Sequence, residues 1–388
     1  MTTKNEALRV LQVVEPGVDG VFRHVEGLVH YLLSVGVEVD LAYSDVRGSD
    51  RLHRLVGAVR DKGGLTTNLR TSNSPQPADL PAFFKLLQLA ASHPCGVIHS
   101  HSSKAGILGR AAATLLRKPS FYTPNAYYGM GNPPGLKTSV FNLLERIFSP
   151  FATTINVSPD EATFGRETLR VAQSKQIVIP NAVDTYHFTE GDPNEKRKWR
   201  SEHGLPDDAV VIGTLGRLSY QKDPLTLYRA FHACAAGFPE VFLAHVGSGE
   251  LSSDCAAYAD QQGLSKRIVR IDYLSDTAGF YQGIDAFALS SRYEGLSFAI
   301  LEALSASLPL ILTDAPGNGT FSQLGLSHLW TAPVEDPTCL ADSIRDFIND
   351  RNPGRACNHR SVAEANFGFE ACYGRILSLY RASRMKCG

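Results

Sequence analysis

Disulfide and zinc chemistry are the first things this chain lacks. Its seven cysteines (Cys95, Cys234, Cys255, Cys339, Cys357, Cys372 and Cys387) are scattered, odd in number and never spaced as C-x-x-C. That pattern argues against a disulfide framework and against a cysteine zinc site, and it suits a reducing cytoplasm. An excess of one charge is missing too. With 38 Lys and Arg against 39 Asp and Glu, the net charge is −1, so no global field selects nucleic acid or an anionic membrane as a partner, which leaves only a local basic face. Long hydrophobic runs are also absent: the most apolar stretch, residues 297–313, is interrupted by Glu302 and Pro309 and falls short of a membrane span. The opening residues lack the charged-then-apolar layout of a signal peptide. The expectation is a cytoplasmic protein.

What is present is alternation. Short β-rich runs at residues 8–14, 37–42, 65–69, 97–101, 121–123, 154–157 and 177–179 are separated by amphipathic segments, clearest at 22–33, 80–91, 104–116 and 139–148. The pattern restarts at 209–215 and continues through 241–246, 268–271, 286–289 and 310–312. Strands alternating with helices require a parallel sheet covered on both faces. Two such sets in 388 residues predict two doubly wound, Rossmann-like α/β domains, 1–180 and 181–365, facing across a cleft. The boundary is expected near 180–184, with a polar stretch at 189–200 behind it and Trp199 opening the next helix.

Chemistry concentrates where strands end, the place where open α/β sheets bind ligands. Glu294 and Glu302 bracket a strand-to-helix turn: Gly295 opens it, Ser297 is a candidate N-cap, and 298–305 carries apolar residues at helical spacing. The carboxylates should lie on the order of 10 Å apart. The amides of Gly295, Leu296 and Ser297 would face an anion or sugar hydroxyls. A surface helix with two solvated glutamates is the bland alternative. Gly216, Arg217 and Lys222 follow the second domain's first strand, where two cations can converge on a diphosphate and Gly216 would let the backbone approach closely. Tyr273, after another strand, is placed to border a base. The turn at 247–250 reads as a tightly packed turn, since it lacks the phosphate-loop pattern.

In the first domain, Gly20 near a helix start could approach a phosphate or serve as an ordinary turn glycine. His99 and His101 share one strand face, but no Cys, Asp or Glu nearby completes a metal set. His101 and Lys104 instead suggest a polar acceptor wall. Asn125 and Tyr127 lie in a glycine- and aromatic-rich loop whose rings either stack on a sugar or cover the cleft.

On these residues the chain resembles the retaining glycosyltransferases of family four, of GT-B fold. The resemblance rests on Glu-x7-Glu at Glu294 and Glu302, on Gly216-Arg217 with Lys222, on the turn at 247–250, and on 179–184 between the domains. The tail, 366–388, looks like the family's last helix, which crosses back to the first domain. The resemblance implies that Glu294 holds donor-sugar hydroxyls and Glu302 the ribose, and that Arg217 and Lys222 bind the diphosphate with help from Gly20. It implies no metal and no cofactor, only a nucleoside-diphosphate sugar as donor. The acceptor would be a glycan or a lipid-linked saccharide; basic positions Arg54, Arg60, Lys62, Arg110, Arg117 and Lys118 could give peripheral contact with a membrane, and scattered solvated charge explains them equally well. Three departures stand out. Asn125 occupies a place where the family often has a titratable histidine, Asp19-Gly20 replaces a Gly-Gly pair, and 316–319 replaces a Gly-Gly-Asn turn. A nucleotide-sugar epimerase of the same architecture and a non-catalytic nucleotide-sugar-binding relative remain the rival readings.

Overall fold

The computed structural model describes residues 8–15, 17–72, 76–93, 96–131, 134–350 and 357–384. Cys95, Asn132, Cys387 and the opening residues lie outside them. The chain divides into two compact units, Met1–Ala182 with Phe369–Gly388, and Val183–Gly368.

The first unit is built on seven strands: β1 (Arg9–Val14), β2 (Glu38–Tyr43), β3 (Thr66–Asn68), β4 (Val97–His101), β5 (Ser120–Thr123), β6 (Thr153–Asn156) and β7 (Gln176–Val178). They run in the order β3-β2-β1-β4-β5-β6-β7, every pairing parallel. The second unit has β8 (Val210–Leu215), β9 (Val241–Val246), β10 (Ile268–Ile271), β11 (Ala286–Leu289), β12 (Leu310–Thr313) and β13 (Leu329–Ala332). Their order is β10-β9-β8-β11-β12-β13, again all parallel.

The period of two along a strand explains the layering. Val10 and Val14 of β1 join a core with Phe22, Val25, Tyr373 and Tyr380. Leu11 and Val13 enter a separate core with Leu86, Ala112 and Ala113. Helices therefore cover both faces, and the helix Phe369–Arg384 supplies part of the first unit's core. In each sheet the strand order reverses once, between β1 and β4 and between β8 and β11. These are the topological switch points at which such sheets take ligands.

One expectation fails. The polar stretch behind the boundary contains the helix Pro193–Glu202, so Trp199 lies inside a helix rather than at its start. Asp192 caps it by accepting the Asn194 N–H at 2.7 Å, and Pro193 fills the first turn. Only Trp199 and Arg200 are buried on this helix, which leaves almost no apolar periodicity to read. No described helix is long and apolar enough to cross a membrane.

Candidate functional site

The loops after β8 and β11 meet at the second sheet's switch point. Lys222 Nζ lies 2.6 Å from Glu294 Oε1, and the Ser291 hydroxyl donates to the same oxygen at 2.6 Å. The residue expected to bind phosphate and the residue expected to bind sugar are thus paired with each other. Glu294 is only 5% exposed and Glu302 only 1%, so the reading of two solvated surface glutamates is discarded. Glu302 accepts from the Tyr281 hydroxyl at 2.8 Å.

Several residues outside the motif hold this pair in place. Asp223 adopts a left-handed conformation, φ 45° and ψ 55°, that turns the chain out of the Lys222 loop into the helix Pro224–Ala235. Ser290 Oγ donates to the Lys222 and Asp223 carbonyls. Arg292 ties the two loops further, pairing with Asp223 and Glu335 and stacking over Tyr220 at 4.2 Å. Beneath Glu294 sits Gly317, with φ 92°. A Cβ there would lie 2.3 Å from the Glu294 carbonyl oxygen, so only glycine fits. The Glu294 N–H donates to the Pro316 carbonyl at 2.8 Å. The turn at 247–250 is a packing turn, as expected: a Cβ on Gly247 would strike the Gly216 carbonyl at 2.1 Å.

A small open pocket is lined by Gly216, Arg217, Lys222, His245 and Ser290. Arg217 is exposed, and so is Tyr273 on the turn after β10. Gly295, Leu296 and Ser297 are buried in the turn entering the helix Phe298–Ser305. Ser297 stands at the N-cap position, but its hydroxyl makes no capping bond. The site thus combines a cationic wall, a paired carboxylate and a helix start at one sheet edge.

The first unit carries a different arrangement at its carboxyl edge. Gly20 lies in the first turn of the helix Asp19–Ser34. Three buried histidines gather beside it: His101 and His99 have ring centroids 4.1 Å apart, and His24 lies 5.2 Å from His101. His99 bonds the Tyr380 hydroxyl and Thr123, His101 bonds Gln12 at 2.7 Å, and His24 bonds Asn181 at 2.9 Å. His24 Nε2 and His101 Nδ1 have no partner among the described residues. Burial lowers the His24 pKa to about 4 and those of His99 and His101 well below the ordinary value, so all three rings are neutral near pH 7.

Asn125 and Ala126 are consecutive non-glycine residues with positive φ, 54° and 76°. Such backbone costs on the order of 1–3 kcal/mol per residue and persists only where its surroundings impose it. Here Glu161 imposes it, accepting the Ala126 N–H at 2.5 Å and the Val157 N–H at 2.6 Å. Burial raises the Glu161 pKa to about 7. Both polar atoms of the Asn125 side chain are buried without partners among the described residues.

Lys104, expected at the acceptor wall, and Tyr127, expected to stack on a sugar or cover the cleft, have other work. The Lys104 ammonium is 2.6 Å from Asp79 and donates to the Ser72 carbonyl. Tyr127 is 2% exposed, packed against Tyr122 and Phe164, so its ring belongs to the core. Tyr128 carries the partly exposed ring of that loop, stacked on Phe141.

Comparison with known proteins fits both halves of this description. Residues 18–187 match the model described as Glycosyltransferase Family 4, and residues 195–362 match Glycosyl transferases group 1. The UDP-Gal:alpha-D-GlcNAc-diphosphoundecaprenol alpha-1,3-galactosyltransferase of Escherichia coli is 32% identical over 250 residues, 62% of this chain and 63% of its own length. The chain therefore spans a little less than two thirds of that relative. The capsular polysaccharide biosynthesis glycosyltransferase CapM of Staphylococcus aureus is 24% identical over 78% of this chain and 81% of its own. Among solved structures, Anabaena Alr3699/HepE in complex with UDP and glucose has a TM-score of 0.81 at 18% identity, covering 97% of this chain and 100% of that one. WaaG, a glycosyltransferase involved in lipopolysaccharide biosynthesis, has 0.68 at 12% identity, covering 97% and 98%. The fold is of GT-B type, two Rossmann-like parallel-sheet domains.

Proposed function

We propose that the protein is a retaining, metal-independent hexosyltransferase, moving a sugar from a nucleoside-diphosphate sugar to a glycan or lipid-linked saccharide. The observation that carries this reading is the Lys222–Glu294 pair at the second sheet's switch point, beside the Gly216–Arg217 turn. Arg217 and Lys222 bind the donor's diphosphate and offset the charge that builds on it as the glycosidic bond breaks. When phosphate draws Lys222 to itself, Glu294 is released to accept from the hexose hydroxyls. Glu302 takes the ribose, Tyr273 borders the base, and the amides of Gly295, Leu296 and Ser297 contact sugar and phosphate. The first domain takes the acceptor, with Gly20 at the phosphate and His101 and Asn125 as neutral hydrogen-bonding groups. The acceptor hydroxyl oxygen bonds to the anomeric carbon on the face from which the nucleoside diphosphate leaves, and the departing phosphate accepts its proton; attack on that face preserves the anomeric configuration. The E. coli relative, named for UDP-galactose and a diphospholipid-linked acceptor, makes that pair of substrates the first to assay.

The test is release of nucleoside diphosphate across a panel of nucleotide sugars, with and without lipid-linked acceptors, in buffer containing a chelator. Acceptor-dependent release that survives chelation, with a product of the donor's anomeric form, is the expected result. Interconversion of donor sugars without release would identify an epimerase instead. Binding without turnover would identify a non-catalytic relative.

Gly317→Ala tests the support beneath Glu294. A Cβ in that left-handed position is expected to lower stability by about 1–3 kcal/mol and to displace the carboxylate. Transfer should fall at least tenfold while the circular dichroism spectrum is retained. Unchanged melting and unchanged turnover would show that the Glu294 loop is held from elsewhere.

A further inference from the structure

The helix Leu136–Phe148 faces the wrong way for an ordinary amphipathic helix. Leu136, Val140, Leu143 and Ile147 recur at helical spacing and fall on one stripe. That stripe points outward: the four side chains are 84%, 46%, 55% and 51% exposed, and Phe151 just beyond is 46% exposed. The inward face is fixed by a charge. Glu145 is buried, 2.8 Å from the Arg110 guanidinium and accepting from the Tyr122 hydroxyl at 2.7 Å. Phe141 is stacked on Tyr128, and Leu144 and Phe148 are partly covered. At 100° per residue, Lys137 and Arg146 flank the stripe on its two sides. Glu145 is the only acid on the helix, so apart from Ser139 the exposed face carries apolar side chains and cations.

We infer that this helix is a docking surface for an anionic lipid bilayer, lying in the plane of the headgroups. An interfacial helix of this kind buries its apolar stripe about 5–10 Å below the surface while basic residues at its flanks meet anionic headgroups. A second copy of the chain is disfavoured as occupant. A two-fold contact through this stripe would bring Lys137 and Arg146 of both copies together with no acid on either helix's exposed face to answer them. The placement also differs from the sequence-based expectation. Arg110 is buried by Glu145, and Lys118 is half-buried and engaged by the carbonyls of Ala90 and His93, whereas Lys137, over the Tyr128 ring at 5.1 Å, and Arg146, which donates to the Thr168 carbonyl, are both exposed. The inference goes beyond the transfer reaction and stands if that reading fails, because it rests on the outer face of one helix.

Flotation of the full chain with vesicles tests it, comparing phosphatidylcholine alone with phosphatidylcholine plus phosphatidylglycerol. The chain should float with the anionic vesicles, and added salt should weaken binding. Leu143→Asp with Ile147→Asp should reduce the bound fraction at least tenfold at an unchanged melting temperature. Lys137→Glu with Arg146→Glu should abolish the preference for anionic vesicles. Equal flotation of wild type and both variants would overturn the inference. So would a concentration-dependent dimer in sedimentation velocity that the aspartate pair dissolves, since the occupant would then be a second copy. Neither outcome depends on any measured transferase activity.

Discussion

Lys222→Met is expected to lower sugar transfer by on the order of a hundredfold to a thousandfold, the usual cost of one preorganised donor facing a developing negative charge. The loss should fall on kcat more than on KM, because the charge it meets is greatest as the phosphate departs. The same substitution strands Glu294, whose oxygen then keeps only the Ser291 hydroxyl. That costs about 1–3 kcal/mol of stability, since a buried carboxylate has lost its charged partner. Glu294→Gln should be similarly inactive but less destabilised, because the neutral amide tolerates burial better. The decisive comparison is the double variant. If the pair works on the donor, Lys222→Met with Glu294→Gln stays as inactive as the worse single variant while regaining stability. If the pair is only a structural bridge, neutralising both partners restores turnover along with the melting temperature. Initial rates and chemical denaturation of the four proteins separate these outcomes.

Much of this frame is legible in the sequence, for a physical reason. A strand buried on both faces must be apolar throughout, so 286–289 and 241–246 announce themselves, and the helix 298–305 follows from its spacing. Placing residues 216–222 and 291–297 at one sheet edge needs only strand-turn-helix order and the rule that ligands bind where parallel strands end. What sequence cannot show is contact across 72 residues, which is how Lys222 comes to grip Glu294. Nor can it show which side of an amphipathic helix faces water. The stripe at 136–147 reads like any core-facing stripe, and only the buried Glu145–Arg110 pair reveals that it points outward. Gly317 lacks a warning as well: its need for a left-handed backbone comes from the carbonyl of Glu294, a neighbour in space alone. Tyr127 errs in the other direction. An aromatic ring in a glycine-rich loop looks available, yet it fills the space between Tyr122 and Phe164.

Acidification from pH 7 to pH 5 should destabilise the protein strongly. His24, His245 and His359 each have pKa values lowered to about 4 by burial, and those of His99 and His101 are lowered as well. The unfolded chain takes up protons near pH 6.5 at these positions, whereas the folded chain resists them. Between those values the unfolded state binds more protons, so stability falls as pH drops below about 6.5. A histidine shifted to about 4 contributes about 2 kcal/mol of this loss by pH 5. Glu161 acts in the opposite sense. Its raised pKa, about 7, means that acid favours its folded form, which offsets roughly one histidine of the first unit. Asp276 and Asp336, whose pKa values are lowered, lose their contribution only below the ordinary carboxylate range and leave this window untouched. Urea midpoints at half-unit steps from pH 8 to pH 5 should therefore decline steadily below pH 6.5. His24→Gln should flatten the curve by the share of one histidine, since glutamine cannot titrate. A midpoint that holds constant from pH 7 to pH 5 would mean that these rings exchange protons with solvent in the folded state, and that the cluster beside Gly20 is open rather than sealed.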